Sequence, residues 1–101
     1  MSYSIDELKK QIIGTAKDSG ITLKFSDEFD KLLKKIKDNH IRGRLYKQIL
    51  KIVENPAIGK PMRYSRKGER EVYLDSFRLY YKLYEVEGVL RFVEFSHKDE
   101  Q

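Results

Sequence analysis

Cysteine is absent from the 101 residues, which excludes a disulfide framework, a thiolate metal site and a thiol nucleophile. Histidine is scarce: only His40 and His97 occur, far apart, and no zinc-binding spacing can be made from them. There is no glycine-rich phosphate loop and no other classical catalytic motif, so neither a metal nor a cofactor is expected. No apolar run approaches the roughly 18 residues of a membrane span, and the N-terminus lacks the basic-then-apolar layout of a signal peptide. The chain is therefore expected in the cytoplasm, away from any membrane.

What is present suits one folded domain. Hydrophobic residues make up 40% of the chain, enough for a single core at this length, and seven Tyr with five Phe argue against disorder despite 37% charged residues. The net charge of +5 is unevenly spread. Within residues 1–20, Lys9, Lys10 and Lys17 balance Asp6, Glu7 and Asp18, so the whole excess lies beyond Gly20. A concentrated basic patch points to an anionic partner, either nucleic acid or an acidic protein segment.

Periodicity divides the chain into helices and strands. Ser4 suits a cap for a helix from Ile5 to about Lys17, with Asp6 and Glu7 in its first turn and Ile5, Leu8, Ile12, Ile13 and Ala16 on one face. Asp18-Ser19-Gly20 reads as its exit. Ile21 to Phe25 alternates apolar and polar residues as a half-buried strand does. Ser26 caps a second helix with Phe29, Leu32, Leu33 and Ile36 on its apolar face, expected to end near Asn39. A turn at Asn39 to Arg42 would lead to a third helix faced by Ile41, Leu45, Ile49, Ile52 and Val53, which Asn55-Pro56 terminates. Three strands follow, Glu69 to Leu74, Phe77 to Val86 and Val89 to Ser96, the last two joined by a two-residue turn at Glu87-Gly88. The fold class is α+β: a two-helix hairpin on a twisted, mainly antiparallel sheet of about four strands, plus an extra N-terminal helix. Residues 1–20 form the extension and 21–101 the main domain.

The stretch from Asn55 to Tyr81 carries the chemistry. Lys60, Arg63, Arg66, Lys67 and Arg70 supply five cations against one acid, Glu69. In the strand that follows, Phe77, Leu79, Tyr81 and Leu83 share one face, and Arg78, Tyr80, Lys82 and Tyr84 the other. Cations between flat rings suit a polyanion whose phosphates need charge and whose bases need stacking partners. Arg78 is the natural phosphate clamp because a guanidinium binds phosphate bidentately, although pairing with Asp75 or with a carboxylate across the sheet is an alternative. Tyr80 lies closest to it; an ordinary strand position is open to all three of Tyr73, Tyr80 and Tyr84 and is the better reading for Tyr84. His97, at the end of the last strand, is placed to reach over the sheet beside Arg78 for proton transfer, with an exposed tail position as the alternative. His40 reads as an exposed residue at the inter-helix turn.

In order and spacing, Asn55-Pro56, Gly59-Lys60-Pro61, Gly68-Glu69-Arg70, Phe77-Arg78-Leu79-Tyr80-Tyr81 and His97-Lys98-Asp99-Glu100 resemble the RelE/ParE toxin superfamily, and more narrowly its RelE-type members. The similarity covers residues 21–101, and residues 1–20 precede the strand at which that family usually begins. The resemblance implies the toxin of a type II toxin–antitoxin system. Such a toxin is a ribosome-dependent endoribonuclease that cuts messenger RNA in the ribosomal A site, using the ribose 2′-hydroxyl as nucleophile and no metal. It further implies a cognate RelB-like antitoxin and a toxin–antitoxin hetero-oligomer.

Residue by residue, Arg78 matches the arginine of the family's Arg-x-x-Tyr strand motif, Arg70 a basic residue of the preceding strand, and His97 with Lys98 the basic end of the last strand. These four are the expected catalytic set, with Lys60, Arg63, Arg66, Lys67 and Tyr80 binding substrate. Glu71 matches an acid of some relatives only insecurely and, by alternation, faces away from Arg70, so it is left out of the site. Active relatives carry a tyrosine shortly after the last strand where this sequence reads to Gln101, which implies that another group replaces it or that activity is reduced. Two other readings follow: a ParE-like toxin that traps DNA gyrase, and a catalytically weakened module that binds RNA or antitoxin.

Overall fold

The computed structural model describes residues 5–98, without the side chains of Ile5 and Asp6, so the expected Ser4 cap and the Asp99-Glu100 run lie outside the described residues. Helix α1 spans Ile5–Asp18 and buries Leu8, Ile12 and Ala16, which recur every fourth residue. Ile13 was expected on that face, but it is 61% exposed because it lies about 100° further round the helix from Ile12. Gly20 adopts φ +73 and closes the helix with a paired cap, the Ile21 N–H donating to Ala16 O (2.8 Å) and the Gly20 N–H to Lys17 O (3.0 Å). That cap turns the chain into β1, Thr22–Phe25.

Helix α2 spans Asp27–Lys35, and Ser26 caps it as expected, accepting from the Phe29 N–H at 3.0 Å. The helix stops at Lys35, not Asn39. Asp38 is the reason: its carboxylate accepts the N–H groups of His40 (2.8 Å) and Ile41 (3.4 Å), starting α3 at Asn39–Glu54. The inter-helix turn is therefore 36–38, and His40 belongs to the first turn of α3. On α3, Leu45, Tyr46, Ile49, Ile52 and Val53 are buried, with Ile41 only half-buried. Asn55 then caps a short 3-10 turn, Pro56–Ile58.

The sheet has five strands in the order β1-β5-β4-β3-β2, with β2 (Lys60–Pro61), β3 (Glu69–Leu74), β4 (Phe77–Tyr84) and β5 (Val89–His97). The strand beyond the expected four is the two-residue β2, and β1 pairs parallel to β5 while the other pairs are antiparallel. Asp75 and Ser76 form the two-residue β3–β4 turn that sets Leu74 opposite Phe77. The turn expected as the two residues Glu87-Gly88 is a four-residue one, Glu85–Gly88, between Tyr84 and Val89. One sheet face packs Val72, Leu79, Tyr81, Leu90, Phe92 and Phe95 against Phe29, Leu45, Ile49 and Ile52, and α1 adds Leu8, Ile12 and Ala16 to the same core. Each such side chain contributes roughly 1.5–3 kcal/mol when fully buried.

An irregularity in β5 governs the other face. Tyr80 pairs with Glu94 but Tyr81 with Phe92, so Val93 is an extra residue, a bulge. Leu90 and Phe92 point to the core before it, Phe95 after it, and the alternation has shifted by one. The Ser26 hydroxyl donates to Val93 O at 2.6 Å, tying the bulge to the start of α2.

Candidate nucleic-acid interface

The face turned away from the helices is built by register. Glu71 stands opposite Tyr80, Tyr73 opposite Arg78, and Arg78 opposite Ser96, while Glu94 pairs with Tyr80 from β5. The loop 60–68 rises along one side. Two adjoining grooves result, one of 670 Å³ lined by Lys60, Met62, Arg63, Tyr64 and Glu71, the other of 440 Å³ lined by Arg63, Tyr64, Arg66, Arg78, Tyr80 and Glu94.

Arg78 lies in mid-strand with its side chain 26% exposed, and its Nη1 is 3.6 Å from Glu71 Oε2. Its guanidinium lies 5.5 Å from the centre of the Tyr73 ring. A hydrogen bond to Tyr80 holds its proton more firmly than usual, against the opposing effect of partial burial and with help from the Glu71 charge. Lys98 joins the cluster from the end of β5, its Nζ 4.7 Å from the Tyr73 ring and its N–H on Ser76 O at 2.8 Å. Of the two alternative partners expected for Arg78, the carboxylate across the sheet is present as Glu71, whereas Asp75 pairs with Arg44 at 2.8 Å.

Arg66 has a different role. It donates to Glu69 Oε1 at 2.8 Å and Glu94 Oε1 at 2.9 Å, and its guanidinium lies 3.9 Å over the Tyr80 ring. Burial works against its charge, but the two carboxylates more than offset this and hold it protonated. Tyr80, expected among the substrate-binding residues, is consequently only 2% exposed, covered by Arg66. The floor of the interface is thus charge-compensated, whereas Lys60, Arg63, Lys67 and Lys98 stand exposed. Lys67 lies in the turn before β3 and lines neither groove.

Two residues of the expected catalytic set lie on the opposite face. Arg70 pairs with Tyr81, and its Nη1 donates to Gly59 O (2.7 Å) and Ala57 O (3.3 Å), so it braces the chain leading into β2. The Tyr81 hydroxyl completes this brace, donating to Pro56 O at 2.8 Å and accepting the Gly59 N–H at 2.8 Å. A Cβ on Gly59 would fall 2.6 Å from that hydroxyl, which explains the glycine. His97 pairs with Phe77, edge-on at 5.3 Å, beside Leu32, Ile36 and Phe95. It does not reach over the sheet beside Arg78, because the Val93 bulge has turned it to the helix side.

The structure instead brings forward Glu71. The side chain is 4% exposed and its Oε2 accepts no hydrogen bond. The signal for it lay in the Asp75-Ser76 turn, since a two-residue hairpin fixes Glu71 against Tyr80 and so beside Arg78. Glu94 had no such signal, because its side depends on the bulge.

Residues 23–101 match the family model described as the ParE toxin of type II toxin-antitoxin system, parDE. The chain belongs to that family. It is therefore a type II toxin of the RelE/ParE superfamily. Among solved structures, the toxin is similar to a chain of the RelBE2 toxin–antitoxin complex from Mycobacterium tuberculosis, at 19% identity and a TM-score of 0.67 over 76% of this chain and 96% of that one. A chain of the intact E. coli RelBE complex gives 20% and 0.66, over 76% and 95%. The isolated E. coli RelE toxin gives 19% and 0.66, over 76% and 83%. At such identities these likenesses establish the α+β fold. No curated protein matches the toxin in sequence.

Proposed function

We propose that this toxin is a ribosome-dependent endoribonuclease that cuts messenger RNA in the ribosomal A site, acts in the cytoplasm, and is silenced by a RelB-like antitoxin. The observation that carries this reading is the grouping of Arg78, Lys98 and the buried Glu71 on one open sheet face, beneath a cationic loop. Cleavage by the ribose 2′-hydroxyl forms an O2′–P bond as the P–O5′ bond breaks, charge accumulates on the phosphoryl oxygens, and the departing O5′ takes up a proton from water. Arg78 and Lys98 supply fixed positive charge for them. Glu71, the carboxylate facing Arg78, takes the 2′-hydroxyl proton in place of His97. Lys60 and Arg63 hold the RNA backbone in the grooves, and Arg70 positions the loop that carries them. An acidic, amphipathic antitoxin segment would neutralise the same surface, and the likeness to chains from two toxin–antitoxin complexes supports such a partner. The test is to map messenger 5′ ends after inducing the protein: new ends within codons during growth arrest are expected, and arrest with intact transcripts would overturn the reading.

One observation favours a second reading: the matching family model is named for ParE toxins. A gyrase-directed toxin would accumulate cleaved gyrase–DNA complexes while messages stay whole.

A further inference from the structure

Tyr64 is the residue whose conformation and surroundings the fold explains least. Its backbone takes φ +58, the left-handed region that suits glycine or asparagine, and its side chain is 91% exposed. A ring in water contributes almost no burial, and a non-glycine residue at this φ costs on the order of 1 kcal/mol. Local stability would therefore favour a small residue here, and such a departure is expected where a side chain serves a ligand.

The backbone that carries the ring is also held in place. The Lys67 N–H donates to Tyr64 O at 3.0 Å, the Arg66 N–H to Arg63 O at 3.3 Å, and the Arg66 side chain is fixed to Glu69 and Glu94. Tyr64 lines both grooves, between Lys60 and Glu71 on one side and Arg78 on the other, with Arg63 next to it. We propose that Tyr64 is a preorganised stacking platform for one unpaired RNA base, seated where the two grooves meet while the flanking phosphates lie against Arg63 and Arg78. A flat ring presented between cations is what a single-stranded nucleic acid binds, and a pinned backbone lowers the ordering cost of binding.

The inference rests on the endoribonuclease reading. The experiment measures single-turnover cleavage of messages on programmed ribosomes by wild-type protein, Tyr64→Phe, Tyr64→Gly and Tyr64→Asn, with intact A-site codons and with codons carrying one abasic ribonucleotide. Tyr64→Phe should match wild type. Gly and Asn, which suit the backbone but lack the ring, should need about 5- to 150-fold more protein for half-maximal cleavage, with thermal stability equal to wild type or higher. At one abasic position that difference should vanish, because the ring has lost its partner. Cleavage by Gly and Asn variants equal to wild type, or an equal defect at every abasic position, overturns the stacking role while leaving the nuclease reading intact. Absence of cleavage by wild-type protein overturns the nuclease reading, and the stacking role with it.

Discussion

Arg78 Nη1 faces Glu71 Oε2 across 3.6 Å, a separation at which the two groups attract as charges without sharing a hydrogen bond. The carboxylate is almost wholly buried and the guanidinium is not, so an incoming phosphate meets the cation first. In the proposed reaction the same pair would couple stability to chemistry.

Glu71→Gln tests the chemical half of that coupling. The substitution keeps size and shape but removes the proton acceptor. Cleavage of ribosome-bound message is expected to slow by about 10²- to 10⁴-fold while the amount of toxin needed for half-saturation changes little. A rate equal to wild type would take Glu71 out of the reaction.

Arg78→Ala tests the other half. Loss of one fixed donor to the phosphoryl oxygens is expected to reduce cleavage by about 10²- to 10³-fold and to relieve growth arrest. It also leaves Glu71 buried without its countercharge, so the melting temperature should fall. Adding Glu71→Gln to Arg78→Ala is expected to restore the melting temperature but not cleavage. Arg78→Lys should fall between, since a point charge replaces a fork.

Tyr81→Phe probes the brace beneath the cationic loop. Removing the hydroxyl leaves the Gly59 N–H and Pro56 O without it, and a loss of about 1–3 kcal/mol in urea unfolding is expected. The pH dependence has a definite sign. Burial raises the Tyr81 pKa above the usual value, the Gly59 N–H opposing it, so the folded state holds the phenol proton more tightly than the unfolded chain. The associated stability is full below about pH 10, where both states are protonated, and is lost as pH rises through the folded pKa. Alkaline titration of unfolding should show a shallower decline for Tyr81→Phe than for wild type.

Ser26→Ala removes two bonds at once, the cap on Phe29 and the donor to Val93 O. A cost of about 1–2 kcal/mol is expected, with faster amide exchange in the first turn of α2 and around the bulge. Exchange unchanged at both places would show that the hydroxyl does not link them.

How much the sequence disclosed depended on whether a feature was local. Ser26 and Asn55-Pro56 act on their nearest neighbours, and the helix ends they mark lie where expected. Asp38 was equally local, but the lysines around it read as one continuing helix, so the break at 36–38 was missed. Alternation placed Arg78 and Tyr80 on one face of β4 but left open which residues of β3 and β5 stand opposite. That depends on pairing, and pairing brought in Glu71, supplied Arg66 as the cover on Tyr80, and moved Arg70 to the far side as a brace. His97 failed for the least local reason, since its side is set by an extra residue four positions earlier.

That extra residue acts on β5 much as a frameshift acts on a message: every position after Val93 changes sides. Without it, Phe95 and the imidazole of His97 would enter the grooves, while Glu94 and Ser96 would be driven into an apolar core that has no partners for them. The grooved surface and the packed interior of this toxin are thus two readings of one strand, and neither can be revised without rewriting the other.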